Sequence, residues 1–486
     1  MNEQFRIAQK IGLMFRPDSS MPEDIKTWAI KQLNSKSPAL GIDKVGSKVQ
    51  SWPRKLQPNL KERVEMWRTF WIYEDLARAK KDGQDSASKK TENRKNLWGQ
   101  RDELKFTHRN VYGQDQVRLR FMAFWSNHFT TGNIFDNINT IGYDMDEAIL
   151  ANLNSSFSEM LYSSITHPSM LIYLDNIWSS GENSAEARDA RKNGFQAGLN
   201  DNLGRELLEL HTVSPSAKYN EADIRNAANV LAGWGIELKR TDKWMREQGA
   251  DPSNYSSLFK TRWAEPGNKS VMGQRIYAGK GGLRQLTDYL AAHDHTIEHL
   301  SSKLAQHFVS DNPSTSDINY IVSAWKKSNG DLDQIHTAVI ERAILSKEPK
   351  FQWPMTWLFQ VLRLSGATFI HGWDDLKNEE TTNIFNRLMK VDKIFVELGQ
   401  SFWSTRQPDG FSSHKSEWIS GEMFERRIRF SEAIYQVGRP QFSSEEIINR
   451  IGANMSTRQL VESFSSGKDR FIALMCSPEL MGLESV

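Results

Sequence analysis

The stretch Gly198-Leu-Asn-Asp-Asn-Leu-Gly-Arg-Glu-Leu-Leu-Glu-Leu-His211 decides how the chain is read. Its leucines recur at helical spacing while Arg205, Glu206, Glu209 and His211 crowd a turn and a half of the same helix. At 100° per residue Leu203, Leu207 and Leu210 form a buried stripe, with Glu206 and His211 on opposite flanks about 140° apart. Side chains that diverge so far do not chelate one ion unaided, so a second helix must supply partners. Arg205 and Glu209, four residues apart, are spaced to pair with each other.

Outward from this helix the same periodicity returns. Val117, Phe121, Phe124 and His128 share one stripe of a helix over 117–129, stopped by Thr130-Thr-Gly132, which points His128 inward with the aromatics. Upstream, residues 5–33 read as helix, turn and helix, and Leu60–Ala79 as a strong amphipathic helix. A helix is expected over 143–161, then a short one after Thr166-His-Pro168, where proline suits a first helical position. Asn220 with Asp223 forms a variant capping box, and Gly233 is a natural stop. The second half predicts helices over 283–291, 296–309, 316–328, 332–346, 354–365, 382–397, 420–437, 443–451 and 457–476. Residues 34–56, 80–90 and 179–196 read as loops, and 238–280 as a long ordered loop with room for a short hairpin.

Nothing alternates in twos long enough for a central sheet, and no repeat of fixed period appears. The expectation is an all-α fold, a large multi-helix array with long ordered loops. It is one domain over 1–486, divisible into a helical half 1–240 that carries the motif cluster and a helical half 281–486, joined by 241–280.

Composition removes several functions. Lys and Arg (62) nearly cancel Asp and Glu (60), so no global positive field draws the chain to nucleic acid. The single cysteine, Cys476, excludes an intrachain disulfide and a Cys-based zinc cluster. No window reaches the ~18 uninterrupted apolar residues of a membrane span. The first 16 residues lack the apolar core and cleavage site of a signal peptide, so a cytoplasmic protein is expected, or an exported one if the N-terminus has been trimmed. The chain also lacks a phosphate-cradling Gly-x-x-x-x-Gly-Lys, a Gly-x-Ser-x-Gly elbow and a His-Glu-x-x-His pair.

Imidazole and carboxylate together suit zinc, iron or manganese, so His128, His167 and Glu206 are candidate ligands of a divalent metal. His293, His295 and His299 do not share one helical face and read as solvated residues at a helix start. Two functions stand side by side. In one, His128, Glu206, Glu209, His211 and Arg205 converge between helices as an enzyme site for hydrolytic or oxidative chemistry, with or without a metal. In the other, the same residues are a buried polar network that fixes the helix arrangement of a binding or assembly protein.

The motifs Phe124-Trp-Ser-Asn-His-Phe129, Thr166-His-Pro-Ser-Met-Leu-Ile-Tyr-Leu-Asp175, Gly198 to Thr212, Tyr219 to Asp223 and Leu231-Ala-Gly-Trp234 resemble those of a bacterial family, domain of unknown function 1800. Lys303-Leu304, His307-Phe-Val-Ser-Asp311, Leu398-Gly-Gln400 and Ser477-Pro-Glu479 extend the likeness over essentially the whole chain. The resemblance implies a largely helical bacterial protein, often exported. It is often encoded beside a sulfatase-like family (domain of unknown function 1501), which is thereby a candidate partner. It also marks Asn127, Asp175, Asn202 and Trp234 as motif positions, read as substrate-binding candidates. This chain departs from the pattern at Ala264-Glu265 (for His-Asp), Asn229 (for Arg), Asp294 (for Pro) and Phe411 (for Trp). If the absent histidine is a ligand or catalyst in relatives, activity here is altered or lost.

Overall fold

Helix starts fall where a side chain can accept the first free backbone N–H groups. The computed structural model describes residues 1–16, 19–35, 58–79, 98–133 (apart from 100 and 104), 138–236, 258–368 and 391–484 (apart from 402 and 406). Asn2 caps α1 (Glu3–Ile11) and Asp24 caps α2 (Ile25–Leu33). Then come α3 (Leu60–Ala79), α4 (Gln116–His128) and α5 (Ile138–Asp144). Ser156 caps α6 (Phe157–Thr166), and His167 caps α7 (Pro168–Tyr173). Next are α8 (Ala185–Lys192), α9 (Asn202–Glu209) and α10 (Glu221–Leu231), the last opened by the Asn220/Asp223 capping box.

The second half runs α11 (Gly281–Ala291), α12 (Asp294–Phe308), α13 (Thr315–Ser328), α14 (Leu332–Leu345) and α15 (Pro354–Ser365). It ends with α16 (Val391–Glu397), α17 (Gly421–Ala433), α18 (Ser444–Ile451), α19 (Met455–Glu462), α20 (Gly467–Met475) and α21 (Pro478–Met481). Between α10 and α11, β1 (Trp234–Gly235) pairs antiparallel with β2 (Leu258–Phe259), and β3 (Lys269–Val271) with β4 (Gln274–Ile276). The class is all-α, and the β3–β4 pair supplies a hairpin in the 238–280 region.

Four expectations are corrected by local polar chemistry. The helix foreseen over 143–161 breaks into α5, a π turn at Met145–Ile149, a 3-10 turn at Leu150–Asn152 and α6. Asn152 Nδ2 bonds the Ala148 carbonyl, Ser155 Oγ the Asn152 carbonyl, and Ser156 Oγ accepts from Glu159 N, so side chains take over the ladder. Likewise Ser466 accepts from Asp469 N and splits the 457–476 segment into α19 and α20. Ser184 starts α8 inside the expected loop 179–196. The helix of the opening motif is shorter than its periodicity, ending at Glu209, so Leu208 rather than Leu210 joins Leu203 and Leu207 in the core. The loops expected over 34–56 and 80–90 and the first part of the 382–397 helix fall almost wholly outside the described residues.

A continuous apolar cluster includes Phe5, Trp125, Leu207, Trp325, Trp357 and Met481. α4 lies deep within it and is buried on nearly every face, more than the single stripe foreseen. α9 and α10 meet at Gly204, where a Cβ would stand 2.6 Å from the Ala228 backbone nitrogen. Gly204→Ala should therefore destabilise the protein by about 1–3 kcal/mol through overpacking, against the ~1 kcal/mol that alanine gains in helix propensity. Urea denaturation measures this, and a stabilised variant would show that the two helices separate freely.

Candidate functional site

Arg205 is the surface hub of α9. It bonds Glu209 Oε1 at 3.3 Å within the helix, as the spacing predicts, and both oxygens of Glu221 at 3.2 and 2.9 Å. Glu221 opens α10, so Arg205 ties the two helices together at a half-exposed position, and Tyr219 bonds Glu209 beside it. These contacts are structural in character.

Glu206, one residue on, is different. It is half-buried and has no hydrogen-bond partner among the described residues. Burial raises its carboxyl to about 7, with Glu209 and Asp409 adding repulsion that Arg205 partly offsets. Tyr173, at the end of α7, feels the charges of both Glu206 and Asp409.

The chain beyond α9 turns inward and leaves carbonyls to be satisfied. His299 of α12 bonds the Leu210 backbone, and His128 of α4 bonds the His211 carbonyl through Nε2 at 3.2 Å. Lys303, one turn beyond His299, donates from Nζ to His128 Nδ1 at 3.1 Å. Since Nδ1 accepts, the ring carries its proton on Nε2 and donates to the carbonyl, which fixes a neutral tautomer. Burial, reinforced by the charge of Lys303, holds His128 well below the ordinary histidine range and His299 at about 4. His211 is fully buried, with its ring 6.0 Å from His128 and 5.4 Å from Phe129. Its ring nitrogens have no hydrogen-bond partner among the described residues, and burial takes it to about 3. It is a neutral packing residue outside the helix, so angles projected along α9 do not apply to it.

Lys303 itself is lowered to about 8, first by burial, with the Asp409 carboxylate opposing the shift. Asp409 comes from a turn clamped onto α4. Asn127 donates Nδ2–H to the Phe411 carbonyl at 3.0 Å and accepts from Phe411 N at 2.8 Å. Gly410 between them has φ +79°, and a Cβ there would stand 2.4 Å from the Asn127 carbonyl, so only glycine lets the turn lie this close. Asn127, foreseen as a substrate contact, is thus engaged with the turn that presents Asp409.

Glu206, Lys303, Asp409 and Tyr173 therefore form one electrostatically linked group, with His128, His299 and Asn127 behind it. The expected direct meeting of Glu206 with His128 is replaced by a link through Lys303 and Asp409. His167 lies apart from it. Its Nδ1 accepts from Ser169 N at 3.2 Å and stands 3.2 Å from Asp144 Oδ1. Burial raises Asp144 well above the ordinary carboxylate range. Among the described residues no three His, Cys, Asp or Glu side chains are grouped to hold a metal ion, so His128, His167 and Glu206 do not form the foreseen ligand set.

The remaining candidates are spread out. Asn202 is exposed at the start of α9 with its backbone N–H on Asn200 Oδ1. Asp175 is half-buried in a left-handed conformation, φ 58°. Trp234 is buried against Tyr162 and Phe259 and offers no open face. Glu265, at the position of departure from the family pattern, accepts from the backbone and side chain of Asn183.

Sequence reasoning missed Lys303, Asp409, Tyr173 and His299 as site residues. The available signal was the i, i+4, i+8 row of His299, Lys303 and His307 on one helix, obscured by grouping His299 with His293 and His295. His293 caps α12 and its ring stacks 5.6 Å from that of His295, away from this row.

Fold and site together define an all-α protein with a half-buried carboxyl and a partly buried ammonium that both sense the charge of one aspartate. The chain belongs to the family described as proteins of unknown function (DUF1800), whose model matches residues 9–479. No curated protein and no solved structure matches it. No helix among the described residues is long and apolar enough to cross a membrane.

Proposed function

We propose that the chain is a hydrolytic enzyme working by acid–base chemistry, with Glu206 as the proton-transfer group and Lys303 as the cation that stabilises negative charge on the reacting oxygen. The observation that carries this reading is that an unbonded carboxyl and an aimed ammonium both sense the charge of Asp409. Glu206 is unbonded and half-open, and Lys303 is pinned by a neutral histidine that aims it while Asp409 attracts its charge. A purely structural network spends its polar atoms on one another, as Arg205 and Glu221 do. Ionised Glu206 takes a proton from water as the water oxygen attacks the substrate, Lys303 holds the oxyanion, and the proton passes to the leaving group. His128 and Asn127 act as positioning residues, and His211 and Arg205 hold the frame.

The pH behaviour follows from the two shifts. Activity needs Glu206 ionised (above about 7) and Lys303 protonated (below about 8), so kcat/KM against ester, amide and glycoside panels should trace a narrow bell between those values. Glu206→Gln should abolish turnover while stabilising the fold. The carboxyl is raised from 4.5 to about 7 on folding, so its burial penalty is absent below pH 4.5, grows as pH rises and is complete above about 7. At a half-exposed site solvent screening leaves on the order of 1 kcal/mol of that gain at pH 8. A variant less stable than the wild type at pH 8 would instead place Glu206 in a structural network.

A further inference from the structure

Asn127 and Phe411, the two sides of the clamp, also line a cavity of ≈ 100 Å³. α4 contributes Arg120, Ala123 and Ser126, α12 contributes His307, and Phe106, Phe359 and Trp403 supply apolar walls. His307 stands one turn beyond Lys303, so cavity and site share α4, α12 and the turn at Phe411 without sharing reactive groups.

Arg120 sets the chemistry of this space. It is 4% exposed and donates from Nη1 to Thr356 Oγ1 at 2.7 Å and from Nη2 to the Lys10 carbonyl at 3.3 Å. Among the described residues it makes no ion pair, although the buried Asp144 carboxyl also lines the cavity, and its Nε has no partner. Burial lowers it to about 10, so the guanidinium stays charged at neutral pH. The other buried cations nearby are provided for: Lys350 has Asp311, and Lys10 bonds the carbonyls of Val309 and Ser346. Ser126 Oγ and His307 Nε2, on the cavity-lining residues, likewise have no hydrogen-bond partner among the described residues. An uncompensated buried charge is costly, and a guanidinium with three N–H groups to spare matches a planar carboxylate.

We infer that this cavity is a binding site for a small monocarboxylate, its carboxylate on Arg120 and its hydrocarbon part against Phe106, Phe359 and Trp403. A single unpaired cation favours a monoanion over a phosphate ester, which would bring a second charge. A dry 150 Å³ cavity admits benzene, so the ligand here has roughly four to six heavy atoms. The inference stands independently of the reaction proposed for Glu206.

Isothermal titration of the full chain with propionate, butyrate and butanamide tests it. Butyrate should bind at least about tenfold tighter than its isosteric amide, because only the acid supplies a charge-assisted bond. Arg120→Met should remove that preference. Ala123→Leu, which fills the cavity and leaves the charge in place, should abolish binding even if the arginine variant fails to fold. Glu206→Gln should bind butyrate as the wild type does, which separates this site from the catalytic reading. Equal binding of acid and amide, binding unaffected by Ala123→Leu, or no binding of either acid would each overturn the inference.

Discussion

Lys303→Met should give a folded protein whose turnover is reduced by about 10²–10³-fold, the usual effect of removing a desolvated group that stabilises an oxyanion. The variant removes a cation that burial already disfavours, so thermal stability should hold or rise. His128→Ala should cost less, about tenfold in kcat with KM little changed, since His128 only aims the ammonium through its Nδ1. It should also move the alkaline limb of the pH profile, because Lys303 loses the neighbour that accepts its proton-bearing bond. Steady-state kinetics with a parallel melting curve decides the matter. A Lys303→Met protein that melts far below the wild type and keeps its residual kcat would make Lys303 a structural bolt.

Asp102→Ala should be the most damaging single change to the fold. Arg63 is fully buried on α3 and meets Asp102 in a two-pronged pair, Nη1–Oδ2 at 2.5 Å and Nη2–Oδ1 at 3.0 Å. Removing one partner of such a pair strands the other charge and costs about 3–5 kcal/mol. Replacing both, as Arg63→Met with Asp102→Leu, should recover much of the loss, because the desolvation of both ions disappears with them. Guanidinium unfolding of the single and double variants measures the difference. The effect should reach α5 as well, since Gly142 packs directly on Asp102 and a Cβ there would stand 2.4 Å from it.

The same physics explains which features could be read in advance. Helices whose ends are marked by a capping side chain or a proline were foreseen closely: the Asn220/Asp223 box opens α10 as expected, and α15 begins at Pro354 and ends at Ser365. Errors came where polar side chains interrupt an apolar period, as at Asn152 to Ser156 and Ser463 to Gly467, because periodicity registers the apolar face alone. The pairing of Arg205 with Glu209 was legible because it is set by helix geometry. The inward direction of His128 was legible for the same reason, and its bond to a backbone carbonyl is the commoner fate of such a histidine.

The membership of the site was not legible in that way. Glu206, Lys303 and Asp409 are separated by about a hundred residues at each step, and no local rule connects them. The candidates named from the motif divided according to what lay opposite them. Arg205 found Glu221, Trp234 found Tyr162 and Phe259, and His167 found Asp144. What the sequence determined by itself is the class of fold, the helix that holds Glu206 and the family to which the chain belongs, since these depend on short-range periodicity, capping and contiguous motifs. The tertiary structure alone decided that Glu206 senses the charge of Asp409, that Lys303 bonds His128, and that Arg120 has no carboxylate partner among the described residues. The reason is physical: a carboxyl or ammonium acquires an unusual pKa from burial and from charges across the fold, and those neighbours exist only once distant helices have packed.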